Sequence, residues 1–210
     1  MGSFYKFVST YLADTAMVIS PIIFWLAVLV LGSHFPQYSW FRYSISTLAY
    51  APYGWIIVTV FWLSGFTLML MALRLGRIAG KGNIYKIGVT LILLSGIGFV
   101  VIAIIPTQAH EALNSVKGLI HFHTANTIAV LFPVSCFCIA AGLRNKPAMQ
   151  LFRTLTLFCG AIGVISVIIG IGAIFIDAIW FGAIERLIIG DGLLWVEITG
   201  IYFVYQQIRK

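Results

Sequence analysis

Six apolar stretches, near residues 15–32, 51–73, 85–106, 122–142, 154–176 and 186–207, occupy most of this 210-residue chain. A bilayer's hydrocarbon core is about 30 Å thick, and a helix rising about 1.5 Å per residue needs roughly 20 apolar residues to cross it. Each stretch is close to that length. Hydrophobic residues make up 61% of the sequence and charged residues 9%, with a mean hydropathy of +1.03. A soluble domain carries about 25% charged residues, so the balance excludes one. The expectation is an all-α fold, a polytopic integral membrane bundle of six transmembrane helices, with residues 1–210 forming one membrane domain.

The basic residues are distributed unevenly over the gaps. Lys6, Arg74, Arg77, Lys81, Lys86, Arg144, Lys146, Arg153, Arg209 and Lys210 fall on one side, and Arg42, Lys117 and Arg186 on the other. The positive-inside rule makes the first set cytoplasmic, with both termini inside and the protein multi-pass in the plasma membrane. The first apolar run is longer than the roughly 7–15 residues of a signal-peptide core and is read as a retained helix. Asp14, just before it, is placed as its N-cap. The net charge of +7 follows from this topology and from attraction to anionic lipid. It is no nucleic-acid footprint, because the basic residues sit in short turns without an extended stripe.

Lipid gives helices little hydrophobic reason to associate, so small residues that allow close approach mark contact faces. Gly160, Gly163, Ser166 and Gly170 form such a stripe, as do Gly88, Ser95, Gly96 and Gly98. Pro21 and Pro133 fall inside apolar stretches, where neighbouring helices can re-satisfy the carbonyl each one frees. Cys136, Cys138 and Cys159 lie inside predicted helices and read as small packing residues, not as a disulfide framework.

The polar residues that could carry chemistry gather on the predicted outer side, among them all four histidines of the chain. His110, His121 and His123 with Glu111 or Glu185 offer nitrogen and oxygen ligands for zinc. On a helix, however, His121 and His123 point about 200° apart and cannot share one ion. Glu111, Asp177, Glu185 and Asp191 are read as lying on or near the outer face. Arg42, near Ser44 and Ser46, could pair with Glu185 or Asp191 or hold a phosphate headgroup. Arg42, Ser44, Arg186 and Asp191 are the candidate lipid or ligand contacts. With the last helix entering near Arg186, Glu197 sits about 16 Å deeper, near the bilayer midplane. It needs an interior partner there, with Asn126, Thr127 and Ser166 as candidates. No nucleophile elbow, phosphate loop or dinucleotide fingerprint occurs, so a serine nucleophile would rest on Ser44 or Ser46 with His121 or His123 as its base.

The run Arg42-Tyr43-Ser44-Ile45-Ser46-Thr47-Leu48-Ala49, followed by Pro52-Tyr53-Gly54-Trp55, resembles the first outer loop of a prokaryotic family of six-helix membrane proteins. That family is catalogued as domain of unknown function 998. The likeness continues through Ile105-Pro106-Thr107-Gln108, Lys117-Gly118-Leu119-Ile120-His121, Glu185-Arg186-Leu187 and Trp195, in order along nearly the whole chain. Ser46, His121, Glu185 and Arg186 match the family pattern. Thr47 and Gln108 stand where that pattern carries acidic residues, and Lys117 where it carries a histidine. The resemblance implies a six-helix membrane fold and no established reaction.

The leading functional expectation is therefore a non-catalytic accessory or structural subunit, or a lipid-binding scaffold. Its partners would be membrane lipids and other polypeptides or copies of itself, met through small-residue helix faces, with no nucleic acid and no cofactor. One alternative is an outer-leaflet lipid hydrolase with Ser46, His121 and Glu185 at its site. The other is a small proton-coupled transporter using Glu197.

Overall fold

A computed structural model describes residues 2–77, 82–106 and 115–209, with side chains from residue 11 onward. The described residues form six long helices: α1 (Gly2–His34), α2 (Trp55–Gly76), α3 (Asn83–Ile104), α4 (Val116–Gly142), α5 (Gln150–Phe175) and α6 (Phe181–Ile208). All six are long and apolar enough to cross a bilayer. A 3-10 helix, Ile45–Tyr50, called here the loop helix, lies between α1 and α2. Each long helix packs on its neighbours in sequence, and α6 closes back on α1, so the bundle is an up-and-down ring. The start of α1 and the end of α6 share one end of the ring, the termini end. The loop helix lies at the other, the loop end.

The helices begin and end where local chemistry sets them, which displaces several expected boundaries. Ser115, in extended conformation, accepts a hydrogen bond from the Gly118 N–H at 3.0 Å and caps α4 well before residue 122. His121 and His123 are therefore helical. The last helix likewise starts at Phe181, so Glu185 and Arg186 lie in its first turns. Asp14 is not a cap: α1 runs through it, and its side chain is 0% exposed.

Small residues let the helices approach. A Cβ on Gly65 would lie 2.8 Å from the Gly96 carbonyl oxygen, and one on Gly96 would lie 2.8 Å from that of Gly65. The backbones of α2 and α3 thus cross in direct contact, where a larger residue would push them apart. Gly88 and Gly98 face α4, Gly160 and Gly163 face α4 from the other side, and Gly170 faces α6. These stripes are turned onto neighbouring helices of the same chain. Aromatic rings fill much of the space left between, with Phe24, Phe61 and Phe99 in sequence across α1, α2 and α3, and Phe132 edge-on to Trp195.

Candidate functional site

The polar residues singled out in the sequence separate into three places. The first is the loop end. Here the His121 Nδ1 lies 2.7 Å from the Ile105 carbonyl oxygen, and its Nε2 lies 3.0 Å from Ser46 Oγ. A carbonyl can only accept, so the proton sits on Nδ1, and Nε2 is left to accept from the Ser46 hydroxyl. The pair is sealed: Ser46 is 9% exposed and His121 4%. Glu185 does not join it. Its Oε2 accepts from the Ile45 N–H at 2.6 Å, which anchors the start of the loop helix to α6.

Arg186, next to Glu185, gathers the chain of the first loop around its guanidinium. Nη1 donates to the Tyr43 carbonyl at 3.0 Å and to the Gly182 carbonyl at 2.6 Å, and Nη2 donates to the Tyr38 hydroxyl. The cation also lies over the rings of Tyr38 and Trp40, 5.4 and 5.2 Å from their centroids. Burial pushes the Tyr38 phenol above its ordinary value, so it stays protonated and passes its own hydrogen to the Ser44 carbonyl at 3.0 Å. Gly182 makes the approach possible, since a Cβ there would stand 2.5 Å from the Tyr43 carbonyl oxygen. The sequence reading missed Gly182. Its position four residues before Arg186 was a signal, but nothing local says that a distant loop lies across it.

The ligand candidates do not converge. His123 is exposed and edge-on to Phe122, on the far side of α4 from His121. His110, with Glu111 and Gln108, lies outside the described residues. Among the described residues no three or more His, Cys, Asp or Glu side chains come together as metal ligands. Arg42 is exposed and pairs with neither Glu185 nor Asp191. Ser44 Oγ is 3.0 Å from Thr47 Oγ1, so these two hydroxyls close a local bond.

The second place is the interior. Asp191, expected near the outer face, is buried at 7% exposure among α4, α5 and α6. Because α6 begins at Phe181, Asp191 lies about 15 Å along a helix of about 42 Å, and Glu197 about 24 Å along it. The two carboxylates flank the helix midpoint. Glu197 is half-buried, and Asn126, one of its expected partners, donates instead to the Phe122 carbonyl at 2.7 Å. The third place is the termini end, where Arg74 of α2 meets Asp14 of α1 with two bonds, Nε–Oδ1 at 2.8 Å and Nη2–Oδ2 at 3.2 Å. Gln207 of α6 donates to the same carboxylate, and Arg74 lies over Phe203, 4.7 Å from its centroid.

Across this arrangement a family model described as a protein of unknown function, DUF998, matches residues 18–202. The chain belongs to the DUF998 family. No curated protein and no solved structure matches it. The DUF998 match takes in Ser46, His121, Glu185, Arg186 and Asp191, and stops before Gln207. It also takes in the small-residue contacts between helices, so the family fold and the polar loop end fall within one matched region. Chemically, the loop end of this DUF998 protein can do two things. It can tie residues 35–54 down on α4 and α6, or it can present Ser46 to a substrate with His121 as its base.

Proposed function

We propose that this protein is a non-catalytic membrane subunit or lipid-contacting scaffold, and that its polar loop end is a lock holding residues 35–54 on α4 and α6. One observation carries the reading: the buried polar groups there are committed to one another, with Arg186 Nε the exception among the described residues. Both His121 nitrogens are engaged, Ser46 is buried against one of them, Glu185 takes the Ile45 N–H, and Arg186 takes two carbonyls and the Tyr38 hydroxyl. A nucleophile has to meet its substrate, and Ser46 is closed off. A carbonyl is also a weaker orienter of imidazole than the carboxylate that stabilises an imidazolium in Ser-His-Asp sites. What the molecule offers outward is apolar helix surface, richest on α5, where Phe158, Ile165, Ile168, Ile169 and Phe175 are all exposed. Lipid or a partner helix would cover that surface.

The second reading, a Ser–His hydrolase, is favoured by the tautomer: Nε2 faces Ser46 Oγ as a general base would. A fluorophosphonate probe on native membranes decides between the two. The expected result is no adduct on Ser46, with native mass spectrometry after gentle extraction showing co-eluting polypeptides or retained lipid at fixed stoichiometry. An adduct on Ser46 that disappears in His121→Ala would replace the lock with the nucleophile.

A further inference from the structure

Neither oxygen of Asp191 has an N–H or O–H partner among the described residues, and both are sealed from solvent. Unpaired buried polar groups are rare enough in folded proteins that each one needs a reason. We propose that Asp191 is a proton-binding site inside the membrane, taking up and releasing a hydron at the meeting point of α4, α5 and α6.

The surroundings select the proton over a metal cation. A Cβ on Gly163 would lie 3.1 Å from Pro133 Cβ, 3.2 Å from Asp191 Oδ2 and 3.5 Å from a Phe132 ring carbon, so the carboxyl faces a glycine, a proline ring and an aromatic ring. The Cys159 thiol stands close enough to act as a weak donor to it, and Cys136 stands within electrostatic reach. A hard cation needs a shell of oxygen ligands, which this set does not supply. A proton needs one lone pair, and the acid form removes the charge that lipid-depth burial disfavours.

The titratable groups that face Asp191 are Cys136 of α4 and Cys159 of α5. From α1, Trp25 meets α6 at Gly190, while the carboxylate of that helix, Asp14, is held at the termini end by Arg74. Glu197 is six residues on, about 120° around α6. The arginines of α5 and α6 are committed elsewhere: Arg153 Nε donates to the Ala140 carbonyl and Arg186 to the Tyr43 and Gly182 carbonyls. No cation is therefore in place to hold Asp191 as a permanent anion. A hydroxyl on the same face of α5 lies to either side of it, Ser166 toward the loop end and Thr156, which accepts from Trp195 Nε1 at 3.0 Å, toward the termini end. Pro133 opposite Gly163 leaves the Ala129 carbonyl without its helical donor, a weak point where α4 can yield when the carboxyl changes charge.

Dicyclohexylcarbodiimide tests the proposal on the full chain in liposomes. The acid form reacts: the carboxyl proton passes to a carbodiimide nitrogen while the carboxyl oxygen adds to the central carbon, and nothing leaves. Mass spectrometry of the unaltered protein should map the adduct to Asp191. Its yield should fall about tenfold per pH unit once the pH passes the site's titration point, since a single proton is involved. Asp191→Glu should keep the adduct and Asp191→Asn lose it. Infrared spectra should show a carboxylic acid carbonyl band that titrates across roughly pH 5 to 9 and is missing from Asp191→Asn. An Asp191 that stays unlabelled at every pH, or an acid band that does not move across that range, would make it a fixed neutral residue and overturn the proposal. Neither readout depends on whether the protein is a subunit or a hydrolase.

Discussion

Asp14 and Asp191 are both buried carboxylates in a six-helix bundle, at 0% and 7% exposure, and they are held in opposite ways. Asp14 meets a guanidinium through two bonds, with a third donor from Gln207, so α1, α2 and α6 are tied at one point. Asp191 has a glycine, a proline ring, an aromatic ring and two thiols around it and, among the described residues, no N–H or O–H donor on either oxygen. Burial alone therefore does not say what a carboxylate is for. A saturated one is a fastener, and its removal should be felt as lost stability. An unsaturated one at comparable burial costs stability as it stands, so its reason is sought in a second charge state.

The largest expected effect falls on the fastener. Arg74→Met leaves Asp14 buried without its counter-ion, and breaking such a pair from one side costs about 3–5 kcal/mol. Thermal unfolding in detergent micelles should show it directly. The double variant Asp14→Leu/Arg74→Met should recover most of the loss, because removing both charges also removes their desolvation. A double variant as weak as the single one would mean that Gln207 and the Phe203 stacking, not the ion pair, hold that end.

Gly65→Leu comes next. Overpacking a close contact costs about 1–3 kcal/mol, and here the added atoms meet backbone, which cannot turn aside. The same measurement checks it, and an unchanged melting temperature would show that α2 and α3 can separate freely. At the loop end His121→Ala strands the Ile105 carbonyl and the Ser46 hydroxyl, a loss of about 1–3 kcal/mol, while Ser46→Ala gives up one neutral bond, about 1 kcal/mol. Proteolysis of residues 35–54 should accelerate in that same order if the pair is a lock. Equal accelerations would mean that the bond to Ile105 contributes nothing.

The six spans and their ring-forming small residues were legible in the sequence because apolar length and glycine spacing are local signals. The ends of the helices were less so. Phe181 opens α6 five residues before the expected start, and that shift moved Asp191 from the outer face into the interior. Asp14 looked like a cap because it precedes the apolar run, whereas its partner lies 60 residues away on α2. Ser46 and His121 were named from their types, but their separation of 75 positions hid that they touch. Glu197 drew attention as the deep carboxylate when a helix start at residue 186 was assumed. With the start at Phe181 it shares the middle of α6 with Asp191, and Asp191 is the more deeply buried of the two. Long-range pairing, more than helix content, was what one sequence could not display.

The smallest expected effect is the one that bears most on the comparison. Asp191→Asn keeps the shape of the side chain and removes its capacity to ionise. Since the wild-type oxygens meet no N–H or O–H donor among the described residues, the substitution gives up at most a weak thiol contact, and the change in stability should stay within about 1 kcal/mol under conditions where Asp191 carries its proton. Raising the pH should then separate the two proteins. Wild type must either keep its proton or place a charge among Pro133, Phe132 and Gly163, so its melting temperature should fall while that of Asp191→Asn holds. The sign follows from linkage, because the folded state of the wild type favours the protonated form and loses that advantage as the proton is withdrawn. Parallel curves for the two proteins would place Asp191 beside Asp14 as a structural residue, and the contrast between the two carboxylates would then be one of geometry alone.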